Sequence, residues 1–218
     1  VSAGGLLTVA NGATLRIQGS GTLPANFSTH SIGATSTIEY SGTSPQNVAV
    51  LNSSQDYGNL NVLNQTKILL GNTRVRGTLT FGGTATNRLV LGSNTLTLEG
   101  AIGGSSISAG RNFTGSSASN LVLNGSFNRS IFFNTTTAGT TNALNNLTIN
   151  HSGNITTLGN NLFVNSNLIL TAGKLAISTA TLSVKGGITN TVTGGIRGSS
   201  SSNLIFNGTV SPILSMDQ

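Results

Sequence analysis

Leu121-Val122-Leu123-Asn124-Gly125 decides how this chain is read, because its pattern occurs three times. Ile38-Glu39-Tyr40-Ser41-Gly42 stands before it and Leu204-Ile205-Phe206-Asn207-Gly208 after it, at equal distances on either side. Two further motifs keep nearly the same step. Thr95-Leu96-Thr97-Leu98-Glu99-Gly100 has one counterpart in Thr14-Leu15-Arg16-Ile17-Gln18-Gly19 and another in Thr181-Leu182-Ser183-Val184-Lys185-Gly186. Asn59-Leu60-Asn61-Val62 returns as Asn146-Leu147-Thr148-Ile149. Self-similarity at a long, nearly fixed period, here about 83 residues, is the signature of a repeat architecture. The chain divides into a partial super-repeat over residues 1–56, a complete one over 57–142 and a partial one over 143–218, all in one continuous solenoid.

Inside each copy the apolar residues alternate with Thr, Asn and Ser over short runs, which is the strand period. β-Branched residues abound, and Gly or an Asn-Gly pair closes nearly every run. No window carries capped helical spacing, so almost no helix is expected. The strongest strands start near Leu60, Leu79, Leu96, Leu121 and Leu147. Read as coils, the intervals between them predict an all-β fold, a parallel β-helix or β-solenoid with roughly four coils per super-repeat of about 83 residues. Residues 21–33 and 100–115 read as loops. About ten coils at ~4.8 Å each would make a rod on the order of 50 Å long. Stacked Ser, Thr and Asn can form hydrogen-bonded ladders along such a rod, and like charges stacked on neighbouring strands would repel. Tandem immunoglobulin-like sandwiches are the rival for a repeat of this length. They usually need a bulky anchor, whereas this chain has no Trp and only Tyr40 and Tyr57.

Composition narrows the function classes. Of 218 residues only 6% are charged, and there is no Cys. A disulfide framework and thiolate metal sites are thereby excluded. No apolar run approaches the ~20 residues of a membrane-spanning helix, so no membrane insertion is expected. The net charge is +6, but the cations are scattered. The densest group, Arg74 and Arg76 with Lys67 nearby, has no interleaved aromatics, so a nucleic-acid partner is not expected. The N-terminal Val-Ser-Ala-Gly-Gly lacks a signal-peptide pattern. The chain begins and ends inside a repeat and reads as a portion of a longer protein.

Chemistry-bearing residues are few. His30 and His151 do not recur: the repeat spacing sets Phe113 opposite His30 and Asn64 opposite His151. Neither has metal-ligand company, so both read as surface or loop histidines. The acids are Glu39, Asp56, Glu99 and Asp217. Glu99 corresponds to Gln18 and Lys185, which marks a solvent-facing position, and Glu39 corresponds to Val122 and Ile205. Glycoside hydrolysis needs two carboxylates across one bond, and folding would have to bring Glu39 and Asp56 together. Calcium loops, phosphate loops and nucleophile elbows are missing; Gly103-Gly104 and Gly186-Gly187 read as turns. Asn-x-Ser/Thr triplets such as Asn64-Gln65-Thr66 and Asn146-Leu147-Thr148 are what chance supplies in so Asn-rich a chain. No catalytic, cofactor or metal residue is assigned, and the chain is not read as an enzyme.

Tyr57-Gly58-Asn59-Leu60-Asn61-Val62, Gly77-Thr78-Leu79-Thr80-Phe81-Gly82-Gly83 and Asn94-Thr95-Leu96-Thr97-Leu98 resemble the repeat units of very large, adhesin-like β-strand-repeat surface proteins of gliding and filamentous Bacteroidetes. The resemblance covers almost the whole chain. It implies an extracellular, cell-surface location and a role in attachment, gliding or cell contact, and it carries over no catalytic residue. The expected function is that of a structural and adhesive segment, a rigid stalk in a secreted bacterial filament or adhesin. Its partners would be other copies of itself, through Val122 and Ile205 if these face outward, or cell-surface or glycan ligands. The alternative is a carbohydrate- or ice-binding module using Thr14, Thr95, Thr97 and Thr181. A polysaccharide-degrading β-helix enzyme is a third, disfavoured class.

Overall fold

The computed structural model describes residues 4–24, 26–52, 55–83, 86–105, 112–191, 193–209 and 214. Among them there is no helix, and every strand pairing is parallel. The chain is a β-solenoid of about nine turns, a stack of ~43 Å at ~4.8 Å per coil. Coil length varies: the register joins Leu60 to Leu79 on a short path and Arg129 to Thr156 on a much longer one.

Each coil turns through three faces. Face A stacks Thr14–Ile17, Thr37–Tyr40, Asn59–Leu63, Leu79–Gly82 and Ile102–Gly103. It continues through Arg129–Ile131, the later half of Asn146–Leu158, the later half of Leu168–Ala176, and Gly194–Arg197. Face B stacks Gln46–Val48, Thr66–Leu69, Arg88–Val90 and Phe113–Thr114. After the Phe113–Phe133 bridge and a loop over residues 134–142 it resumes as Ala143–Leu144, Leu162–Val164, Thr181–Val184 and Asn203–Phe206. Face C opens with Gly5–Val9 and Phe27–Ile32. It resumes at Thr73–Val75, Thr95–Leu98 and Asn120–Asn124, and runs through the first halves of Asn146–Leu158 and Leu168–Ala176 to Ile188–Asn190.

Alternation explains the core. Leu15, Ile38, Leu60, Leu79 and Ile102 form one inward column on face A, and Leu96, Leu121, Leu147, Leu168 and Ile188 form another on face C. Most of these side chains are fully buried. Phe81, Phe113 and Phe133 meet in the interior with centroids 5.3 and 5.6 Å apart, the first pair edge-on at 87°, a favoured aromatic geometry. Outward positions carry the ladders: Asn146 Nδ2 donates to Asn120 Oδ1 at 2.8 Å, and the Asn167 backbone N–H donates to Asn146 Oδ1 at 3.0 Å.

The super-repeat does not contain a whole number of coils. From Ile38, the partners Leu60, Leu79 and Ile102 mark three complete coils, and Leu121 lies two faces further on. The unit therefore spans three and two-thirds coils, and the three copies of the opening motif lie on faces A, C and B in turn. Thr14, Thr95 and Thr181 follow the same screw. One interval in the sequence reading is corrected by this. The steps from Leu60 to Leu79, from Leu96 to Leu121 and from Leu121 to Leu147 are true coils. The step from Leu79 to Leu96 instead crosses from face A to face C within one coil. Residues 21–33, expected to be loop, contain the strand Phe27–Ile32. Its apolar residues stand only at its ends, so alternation could not reveal it. The region 100–115 likewise holds the short strands Ile102–Gly103 and Phe113–Thr114.

The closing glycine of the motif has one structural duty. At Gly42 and Gly125 an added Cβ would fall inside the van der Waals radius of a carbonyl oxygen on the preceding coil, that of Gly19 or Glu99. The coils approach so closely at this corner that only glycine fits.

Candidate functional site

The polar residues of the interior are corner caps. Gln46 Nε2 donates to the carbonyls of Ile17 and Gly21 at 3.1 Å, and its Oε1 accepts the Gly42 N–H at 2.8 Å. Arg129, its equivalent one super-repeat later, donates to the carbonyls of Gly100 at 2.7 Å and Glu99 at 3.0 Å, and to that of Asn124. Lys67 is fully buried and donates from Nζ to the Gly42 carbonyl at 3.0 Å. Each donates to backbone oxygens where the chain turns a corner. Burial pulls the Lys67 ammonium down to about 8 and the Arg129 guanidinium down to about 10.

The histidines part company. His30 is half-buried on Phe27–Ile32, in register with Leu7. His151, expected at the surface, is fully buried. The Asn146–Leu158 strand bulges after Asn150, and Gly153 takes φ 73° there, which turns the imidazole inward. Its Nε2 lies 2.7 Å from Thr156 Oγ1. Burial, reinforced by the Arg129 charge, lowers its pKa. The sequence signal for this placement was the Asn-His-Ser-Gly break in alternation. Among the described residues no three His, Cys, Asp or Glu side chains converge on a metal-sized site.

Among the described residues the acids pair with arginines. Glu39 is nearly buried and bonds Arg16 at 2.5 Å and Asn61 at 3.2 Å, its register neighbours on face A. Asp56 pairs instead with Arg76 at 2.7 Å and lies 4.0 Å from Arg74, and Arg74 in turn pairs with Glu99. Asp217 lies outside the described residues. Every one of these ion pairs joins adjacent coils, so opposite charges stack where like charges would repel. Arg74 and Arg76 are thereby neutralised and Lys67 lies inside, so the densest cation group in the sequence makes no basic surface.

Asp56, Arg74 and Glu99 border a conspicuous irregularity of face C. Between Phe27–Ile32 and Thr73–Val75 the chain around residues 49–52 and 55–56 lies outside the ladder, and Tyr57 rejoins it by a bridge to Val75. Two tyrosines fix this excursion from below. The Ala49 N–H donates to the Tyr40 hydroxyl at 3.0 Å, the Tyr57 hydroxyl donates to the Ala49 carbonyl at 2.7 Å, and the two hydroxyls lie 3.3 Å apart. The result is an open cleft of about 420 Å3 whose lining includes Val50, Leu51, Tyr57, Asn72, Arg74, Thr95 and Thr97. The volume falls within the range of about 300–1,000 Å3 typical of small-molecule sites.

The threonines considered for an ice-like face are not together: Thr14 lies on face A, Thr95 and Thr97 on face C, and Thr181 on face B. Val122 and Ile205 do point outward, but on faces C and B respectively. Val122 is half-buried between Thr97 and Thr148, whereas Ile205 is 44% exposed. No helix among the described residues is long and apolar enough to cross a membrane. No protein-family model matches the chain, and comparison with curated proteins and with solved structures found no match.

Proposed function

We propose that this chain is a rigid spacer, a stalk segment of a larger extracellular bacterial surface fibre or adhesin that serves attachment, gliding or cell contact. One observation carries the reading. Parallel backbone ladders run from coil to coil on all three faces, interrupted on face C below Thr73–Val75 and on face B at residues 134–142, over one apolar interior. Bending such a rod would break ladders on one side and open packed columns on the other. The surface fits the role: charges appear as inter-coil pairs and asparagines as ladders, so the polar groups brace the stack. Repetition also suits a part whose job is length, since each added unit extends the rod without a new core.

The direct test is immunogold labelling of intact cells with antibody against this segment, beside electron microscopy of the purified parent protein. Label on straight surface fibres with a spacing near ~4.8 Å along the axis is the expected result. Label that appears only after lysis would end the surface reading, and a flexible string of beads would end the rigid-rod reading.

A further inference from the structure

The geometry points to the cleft on face C as a binding site for an uncharged saccharide. Three features of the lining select that chemistry. The first is electrical: Arg74 and Arg76 are already balanced by Asp56 and Glu99. A charged ligand would have to break a pair and leave one member unmatched, whereas a neutral ligand can hydrogen-bond to the pairs as they stand. The second is the supply of unused polar groups. The hydroxyls of Thr95 and Thr97 and the Asn72 Nδ2 make no hydrogen bond among the described residues, and Asn52 Oδ1 is buried without a partner. Donors and acceptors of this kind, beside a carboxylate and a guanidinium, suit neighbouring hydroxyls on a sugar ring. The third is an apolar contact at Val50, which is exposed beside the buried Leu51 and Tyr57 and suits the C–H face of a pyranose.

The repeat supplies a control for this assignment. Arg74 is the middle residue of Thr73–Val75, and the equivalent strand one copy later, Leu162–Val164, has Phe163 in that place. Glu99 is replaced there by Lys185. Stacking of the solenoid therefore does not require the Arg74–Glu99 pair, which belongs to this copy alone, whereas the Asn72–Thr95 contact recurs as Asn161–Thr181. The cleft is also where a regular ladder is interrupted, and local departures from a repeating rule concentrate at functional sites. The inference goes beyond the stalk reading and stands apart from it, since a rod whose cleft is empty is still a rod.

The test is an NMR titration of the intact chain with cellobiose, maltotriose, xylotriose and N,N′-diacetylchitobiose, with glucuronate as an anionic control. At least one neutral sugar is expected to shift the Asn72, Thr95 and Thr97 amide resonances saturably at millimolar concentration. Thr97→Val and Asn72→Ala should each weaken that binding about tenfold, the value of one lost hydrogen bond of about 1.4 kcal/mol. Arg16→Ala, on face A, should leave it unchanged. No shift with any neutral sugar, shifts confined to other residues, or equal binding by Thr97→Val would each overturn the proposal, as would a preference for glucuronate. Circular dichroism of every variant separates lost binding from lost fold.

Discussion

Replacing Gly125 by alanine should lower the stability of the solenoid by about 3 kcal/mol or more. Two costs add at this position. Gly125 holds φ 84°, a conformation that a side chain resists. Its Cβ would also meet the Glu99 carbonyl oxygen on the coil beneath, with Arg129 close by on the other side. The carbonyl is backbone and cannot rotate away, so relief requires the two coils to separate. That movement would pull Arg129 off the carbonyls of Glu99 and Gly100. A lowered denaturation midpoint, with early amide exchange in Thr95–Leu98 and Asn120–Asn124, is the signature to look for. Gly139→Ala is the matched control. Gly139 has φ 75° but nothing within reach of an added Cβ, so only the conformational cost, of about 1 kcal/mol, should appear. Equal losses at both positions would show that coil contact is not what selects glycine.

Phe113→Ala should be comparably damaging, at about 3–5 kcal/mol. Phe113 is fully buried, touches Phe81 on one side and Phe133 on the other, and occupies the place where face B is joined by an isolated bridge. Truncation opens a cavity between two rings that are themselves fixed in the core. Phe127, 46% exposed, supplies the contrast: Phe127→Ser should change stability by no more than about 0.5 kcal/mol. Chemical denaturation of the two variants checks both numbers at once.

Lys67 sets a pH dependence. Its folded-state pKa of about 8 lies below the ordinary lysine value, so between these values the unfolded chain holds a proton that the folded chain has released. Stability should therefore rise with pH from about 8 towards the ordinary lysine value of ~10.4, and the penalty for burying the charge is fully present below about 8. Lys67→Met keeps the stem and removes the titration, so it should flatten that rise. His151 acts in the same sense at acid pH: its lowered pKa makes stability fall as pH drops below about 6.5. A midpoint profile that is flat above about pH 8 in the wild type would contradict the buried-ammonium account.

The apolar alternation at Leu121-Val122-Leu123 and its copies determined the strand character, the coil size and the repeat. A period of two assigns each side chain to inside or outside without knowledge of any neighbour. The same local rule made the Asn ladder legible, because stacking identical outward positions follows from parallel coils. Three things were decided only by the tertiary structure. The face on which each copy lies depends on the summed lengths of all intervening corners. Coils of different length close on the same faces, so residue spacing alone does not record on which face a copy falls. Lys67, Arg129 and His151 are polar by composition and internal by position, because the corners offer carbonyls that strand periodicity does not describe. The cleft, finally, joins Val50, Leu51 and Tyr57 with Asn72, Arg74, Thr95 and Thr97. Arg74 and Asp56 could be named from sequence as unusual charges, but their meeting requires three coils to be stacked in register.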